Sequence, residues 1–110
     1  MTLPEISTAP AAPRRFWSQL STRDFAALDP ATTVAVLPLG ATEQHGPHLS
    51  LGVDSVLVDG IVAAALPRLP AGLPAFFLPS QHIGLSPEHA NFPGTLTLSS
   101  ETLIRLWHDI

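Results

Sequence analysis

The residues of this chain that could do chemistry crowd into two loops. The first reads Gly40-Ala41-Thr42-Glu43-Gln44-His45-Gly46-Pro47-His48-Leu49-Ser50-Leu51-Gly52-Val53-Asp54, and it holds Glu43, His45, His48 and Asp54 within twelve positions. Carboxylate oxygens and imidazole nitrogens are the donors that a hard-to-borderline divalent cation takes. Glu43 and His45 are two apart, so in extended backbone both side chains leave the same face. Gly46 and Pro47 turn the chain. Asp54 comes back at the start of the next helix, where its carboxylate can cap backbone N–H groups, bind a cation, or do both through different oxygens. Taken singly, a loop histidine is an ordinary solvated group and an aspartate before a helix an ordinary N-cap. The signal is the cluster, because two of only five histidines lie in it. Its spacing matches no standard template such as HExxH.

The second loop runs from about Pro79 to Gly94 and contributes His82, Glu88 and His89. The Glu88-His89 pair is suited to orient a substrate, to transfer a proton or to support a ligand from behind. The plainer alternative is a hydrogen-bonded loop held by Pro87 and Pro93. His108, between Trp107 and Asp109, reads as a surface residue.

Short elements must position these loops. Ser21 or Thr22 caps a helix reaching about Leu28, with Asp24 in its first turn. Thr32 to Leu37 reads as a strand apolar on both faces, hence buried. Asp54 and Ser55 cap a helix to about Leu66, with Val56, Leu57, Ile61, Val62, Ala65 and Leu66 forming one apolar stripe. Ala75 to Leu78 is a second buried strand, and Thr95 to Leu98 a short extended piece. Ser99 or Ser100 caps a last helix whose Leu103, Leu106, Trp107 and Ile110 share a face. Strand–helix alternation predicts a parallel α/β sheet. Both loops then leave carboxyl ends of strands, the rim where ligands gather in such sheets. The last helix has no terminating Gly or Pro, which predicts that the chain is the N-terminal part of something longer.

Composition narrows the partners. The chain has 110 residues, 45% hydrophobic and 13% charged, with a net charge of −4. One small domain fits that length, and the hydrophobic content argues against a disordered tail. Five scattered arginines and no lysine make no phosphate-binding patch, so nucleic acid is excluded as a partner. With no cysteine, thiolate metal sites and disulfides are ruled out. The longest uncharged run, Leu69 to Ser86, is broken by Pro70, Pro74 and Pro79, so no membrane span is expected. Residues 1–15 are expected to be a flexible leader, 16–110 the N-terminal part of a single domain, and the protein cytoplasmic.

The run Leu37-Pro38-Leu39-Gly40-Ala41-Thr42-Glu43-Gln44-His45-Gly46-Pro47-His48-Leu49, followed by Asp54, resembles the signature of the creatininase (creatinine amidohydrolase) family. Ser86-Pro87-Glu88-His89-Ala90-Asn91-Phe92-Pro93-Gly94-Thr95 resembles its second block. The resemblance spans about Thr32 to Ile110. It implies a parallel-sheet α/β sandwich of the creatininase type, present here as an N-terminal fragment. It also implies two divalent metal ions, zinc first and manganese or iron as alternatives. Glu43 and His45 match one ligand on each metal, and Asp54 the carboxylate that bridges them. Ser86, Glu88 and His89 match the catalytic or substrate-pocket block, and His48 a position behind the ligands. Ser50 and Val53 stand where Pro and Thr are common. Further ligands, from a His-Gly-Gly block and a nearby Glu, belong beyond the final helix. The implied activity is hydrolysis of a non-peptide, often cyclic, amide C–N bond by a metal-activated water, on a small-molecule substrate, in a homo-oligomer, typically a hexamer. The competing reading is a truncated, non-catalytic fragment or interaction module that keeps the fold without a complete centre.

Overall fold

The computed structural model describes residues 2–4 and 13–110; the leader expected over 1–15 therefore lies largely outside the described residues. Two three-residue strands form its sheet. In β1, Val34–Val36, and β2, Ala75–Phe77, β-branched and aromatic residues favour extended backbone. They pair in parallel, in the register Val34↔Ala75, Ala35↔Phe76, Val36↔Phe77. A parallel pair needs a crossover, supplied by helix α2, Val53–Ala65, and a short 3-10 turn, Leu66–Arg68. The α/β class and the parallel sheet expected from the sequence are both present.

Both strands were expected to be buried, and only β2 is. All its residues are buried, whereas Val34 is 51% exposed. The cause is position. β2 is flanked on both sides, by β1 and by the segment at Arg15–Phe16. Phe16 bridges Phe77 in parallel, and the Phe77 N–H donates to the Arg15 carbonyl at 2.7 Å. β1 is paired on one side only.

Arg15 fastens that outer segment. It is only 6% exposed, and its guanidinium donates to the carbonyls of Leu73, Ala75 (3.2 Å) and Pro70 (2.6 Å). The planar fork of an arginine suits several carbonyls at once. The ordered structure thus reaches back into the expected leader. Phe16, Trp17, Phe25, Phe76 and Phe77 stack in tilted or edge-on pairs, which locks the first helix to the sheet.

Helix α1, Thr22–Ala26, starts as expected: Ser21 accepts from the Asp24 N–H, and Asp24 accepts from the Ser21 N–H. Helix α3, Ser100–Asp109, also has its expected cap, Ser99 accepting from the Thr102 N–H at 3.2 Å. The start of α2 differs from expectation. Its N-cap is Gly52 rather than Asp54 or Ser55, with no side-chain cap bond. Asp54 sits inside the first turn and Ser55 is buried, its hydroxyl donating to the Ala41 carbonyl at 3.3 Å. The stripe expected along α2 is not a buried face either. Of its residues Val62 is buried, while Val56, Leu57 and Ile61 are exposed. Thr95–Leu98 forms no strand; Leu96 and Leu98 donate instead to Thr42 and Gly84 in the two loops.

Parallel pairing continues past the strand ends. Leu39 bridges Gln81, the Gly40 N–H donates to the Gln81 carbonyl at 2.7 Å, and the Gln81 N–H donates to the Pro38 carbonyl at 3.0 Å. Both loops therefore start side by side on one rim. Where the second loop closes, Gly94 has φ +88°, and a Cβ there would lie 2.7 Å from Leu51 Cδ1. Leu51 can yield, but the backbone conformation cannot be adopted by alanine without strain. Gly94→Ala is expected to lower stability by about 1–2 kcal/mol, read as a reduced urea midpoint with an unchanged m-value.

Candidate metal centre

Glu43, His45 and Asp54 converge. Each offers a ligand atom lying within 4.8 Å of those of the other two. Different elements deliver them. Glu43 and His45 stand on the first loop with one residue between them, and Asp54 projects from the first turn of α2. The loop is pinned beneath them: the Glu43 N–H donates to the Leu51 carbonyl at 3.3 Å, and the Gln44 N–H to Thr95 Oγ1 at 3.1 Å.

The orientation of His45 is set by its own loop. Its Nδ1–H donates to the Glu43 carbonyl at 3.1 Å, which turns Nε2 toward Asp54 Oδ1, 3.2 Å away. A histidine whose Nδ1 is held by a carbonyl presents Nε2 as the coordinating nitrogen. That bond to the Glu43 carbonyl, with the nearby Asp54 and Glu43 carboxylates, raises the His45 pKa, against an opposing effect of burial. One imidazole nitrogen and two carboxylates facing a common point fit a divalent cation of the zinc, manganese or iron kind. All three side chains are half-buried, so water is thinned there without being excluded.

A second group overlaps the first. Glu43, Glu88 and His89 also bring ligand atoms within 4.8 Å of one another. His89 Nε2 is 3.8 Å from Glu43 Oε1 and 3.7 Å from Glu88 Oε1. Pro87–His89 is a 3-10 turn, its proline fixing φ at the first position. Glu88 is mostly exposed, at 65%, and His89 half-buried. Ser86, expected beside them, is 0% exposed, and its Oγ has no hydrogen-bond partner among the described residues. Its N–H donates to Thr97 Oγ1 at 2.8 Å, so the residue underlies the turn.

Other polar residues of the two loops lie elsewhere. His48 is exposed, its ring standing against Gly46. His82 faces Asp59 at 3.6 Å, and Asp59 accepts from Ser80 Oγ at 2.6 Å. His108 is at the surface, as expected, beside Asp109. The cavity of about 470 Å³ near Arg15 and Leu66 has none of the clustered carboxylates or histidines in its lining.

Residue typing alone overlooked Gln44 and Thr42. Gln44 Oε1 accepts from His89 Nδ1–H at 2.8 Å, and Thr42 donates to the His82 carbonyl at 2.6 Å. Neither ligates metals by preference, and their partners are about 40 residues away, a separation that local spacing does not reveal.

A parallel sheet with a carboxylate–imidazole cluster on the rim at its strand ends defines an α/β chain with a candidate metal site where such sheets gather their ligands. The family model described as creatinine amidohydrolase matches residues 18–110, and the chain belongs to this creatininase family. It is 33% identical over 90 residues to the mycofactocin precursor peptide peptidase of Mycolicibacterium smegmatis, covering 80% of this chain and 36% of that protein. It is 32% identical over 82 residues to the creatinine amidohydrolase of Pseudomonas putida, covering 70% of this chain and 30% of that one. A manganese creatininase structure superposes with a TM-score of 0.72 at 29% identity, over 88% of this chain and 38% of that one. A mutant creatininase of Zn-Zn type gives 0.71 at 28% identity, with the same coverage. The chain spans about a third of the length of the curated relatives it matches. No helix among the described residues is long and apolar enough to cross a membrane.

The raised pKa of His45 has a testable sign. In the metal-free protein its favoured imidazolium contributes stability below the ordinary histidine pKa, and that contribution is lost as pH rises through the raised value. An NMR titration of the His45 ring is expected to give a midpoint above 6.5, falling back toward it in Asp54→Asn.

Proposed function

We propose that this chain contributes the Glu43–His45–Asp54 part of the metal centre of a hydrolase that cleaves amide C–N bonds. The observation that carries the reading is the convergence of those three donors within 4.8 Å. Zinc, manganese and iron are the candidate ions, in that order. By family resemblance, Asp54 would be the carboxylate common to two ions, and Glu43 and His45 would each hold one of them.

A divalent cation bound there supplies Lewis acidity toward the amide carbonyl and makes a water easier to deprotonate. The chain's own residues do the rest. The Glu43 carbonyl keeps Nε2 of His45 turned inward. The first turn of α2 holds the Asp54 carboxylate opposite it. Glu88, with one face open to solvent, is the carboxylate free to accept the water's proton and return it to the leaving nitrogen. In the balanced reaction a C–O bond forms, the C–N bond breaks, and the nitrogen leaves with that proton. Ser86, buried beneath the Pro87–His89 turn, supports Glu88 and His89 from below. His48 supports the loop from outside the ligand cluster.

The substrate is a small-molecule amide by the resemblance of the motifs. A peptide amide is a second reading, favoured by 39% identity over 77 residues to the mycofactocin precursor peptide peptidase of Mycobacterium tuberculosis. We place the protein in the cytoplasm and as a homo-oligomer, a hexamer by family resemblance. The rival to all of this is a chain that keeps the loops but has no working centre.

Asp54→Asn in the full-length protein separates the readings. It is expected to abolish hydrolysis and to cut bound metal, measured by elemental analysis, with the fold intact by circular dichroism. Normal turnover with full metal content would refute the metal-centre assignment.

A further inference from the structure

One side chain of the second loop faces three consecutive residues of the first. His89 Nδ1–H donates to Gln44 Oε1 at 2.8 Å. Its Nε2 stands 3.8 Å from Glu43 Oε1. Its ring lies parallel to that of His45, 4° between planes and 6.2 Å between centroids. Two of those three neighbours, Glu43 and His45, belong to the metal cluster, and the third, Gln44, lies between them. We propose that His89 is a positioning residue that holds Glu43 and His45 in a fixed relation to each other, through its bond to Gln44, so that their donor atoms are already set when a cation arrives.

The support behind His89 is rigid enough for the task. Pro87 fixes the start of its turn. The His89 N–H donates to the Ser86 carbonyl at 3.1 Å, and the Phe92 N–H donates to the His89 carbonyl at 3.0 Å. Ser86 is itself tied to Thr97. Gln44 is held from the other side, its N–H on Thr95. The Gln44–His89 bond therefore joins two anchored backbones 45 residues apart. A loop ligand without such support samples several rotamers, and ordering them weakens binding. Partners behind metal ligands are commonly worth about 10–100-fold in affinity.

The inference rests on the metal-centre reading, and the test keeps the two apart. The full-length protein is titrated with Co²⁺, whose visible bands report the donor set. His89→Ala is expected to weaken Co²⁺ binding by about 10–100-fold with band positions unchanged. His89→Asn keeps an N–H near the place of Nδ1 and should recover most of that loss, as a mere packing role would not allow. Unchanged affinity in His89→Ala overturns the proposal. So do shifted bands that His89→Asn fails to restore, since His89 would then be a ligand itself. Asp54→Asn is the control. If it binds Co²⁺ as well as the unaltered protein, the metal-centre reading fails and carries this inference with it. If Asp54→Asn loses binding and His89→Ala does not, only this inference fails.

Discussion

The site depends on parallel pairing that does not stop where the strands stop. Val34–Val36 and Ala75–Phe77 are short, and six residues alone would make a weak sheet. The pairing runs on through Pro38–Gly40 and Gln81, so two loops distant in sequence leave the sheet in contact. Had the second strand been antiparallel, its loop would have emerged at the opposite rim, and Glu88 and His89 could not have reached Glu43. From that shared origin side chains complete the union: Thr42 with the second loop's His82, Gln44 with Thr95 and His89.

Local chemistry explains how much of this was legible in the sequence. Residues that act through type and short spacing could be read: Glu43 and His45 two apart, Asp54 at a helix start, Ser21 and Ser99 as caps. The alternation of strand and helix announced the parallel sheet, and with it the common rim. What could not be read depends on neighbours. An apolar run does not say whether a strand is flanked on one side or both, so β1 and β2 looked alike and differ in burial. Arg15 looked like part of a leader because its partners are backbone carbonyls 55 or more residues away, which leave no mark in composition. The start of α2 was misplaced for a related reason. Gly52 has no side chain with which to cap, so it sends a weaker signal than Asp54 or Ser55, and the loop geometry decided the boundary.

The two ligand groups share Glu43, which makes that carboxylate the hinge of the cluster's electrostatics. It lies within reach of His45 and Asp54 and also of His89 and Glu88. Together the two groups bring three carboxylates and two imidazoles into one cluster. The chain, a member of the creatininase family, gathers these potential donors on one rim of its sheet.

Asp54 rides on the first turn of a 13-residue helix, whereas its two companions ride on a loop. The helix holds the Asp54 backbone, and only the side-chain torsions are left to set. Through Ser55, whose hydroxyl reaches the Ala41 carbonyl, and Val62, buried further along, α2 is keyed to the rest of the chain. Val56, Leu57 and Ile61 stand exposed on the outer face of the same helix. A displacement of that helix as a body would carry the Asp54 backbone with it, relative to the loop that bears His45.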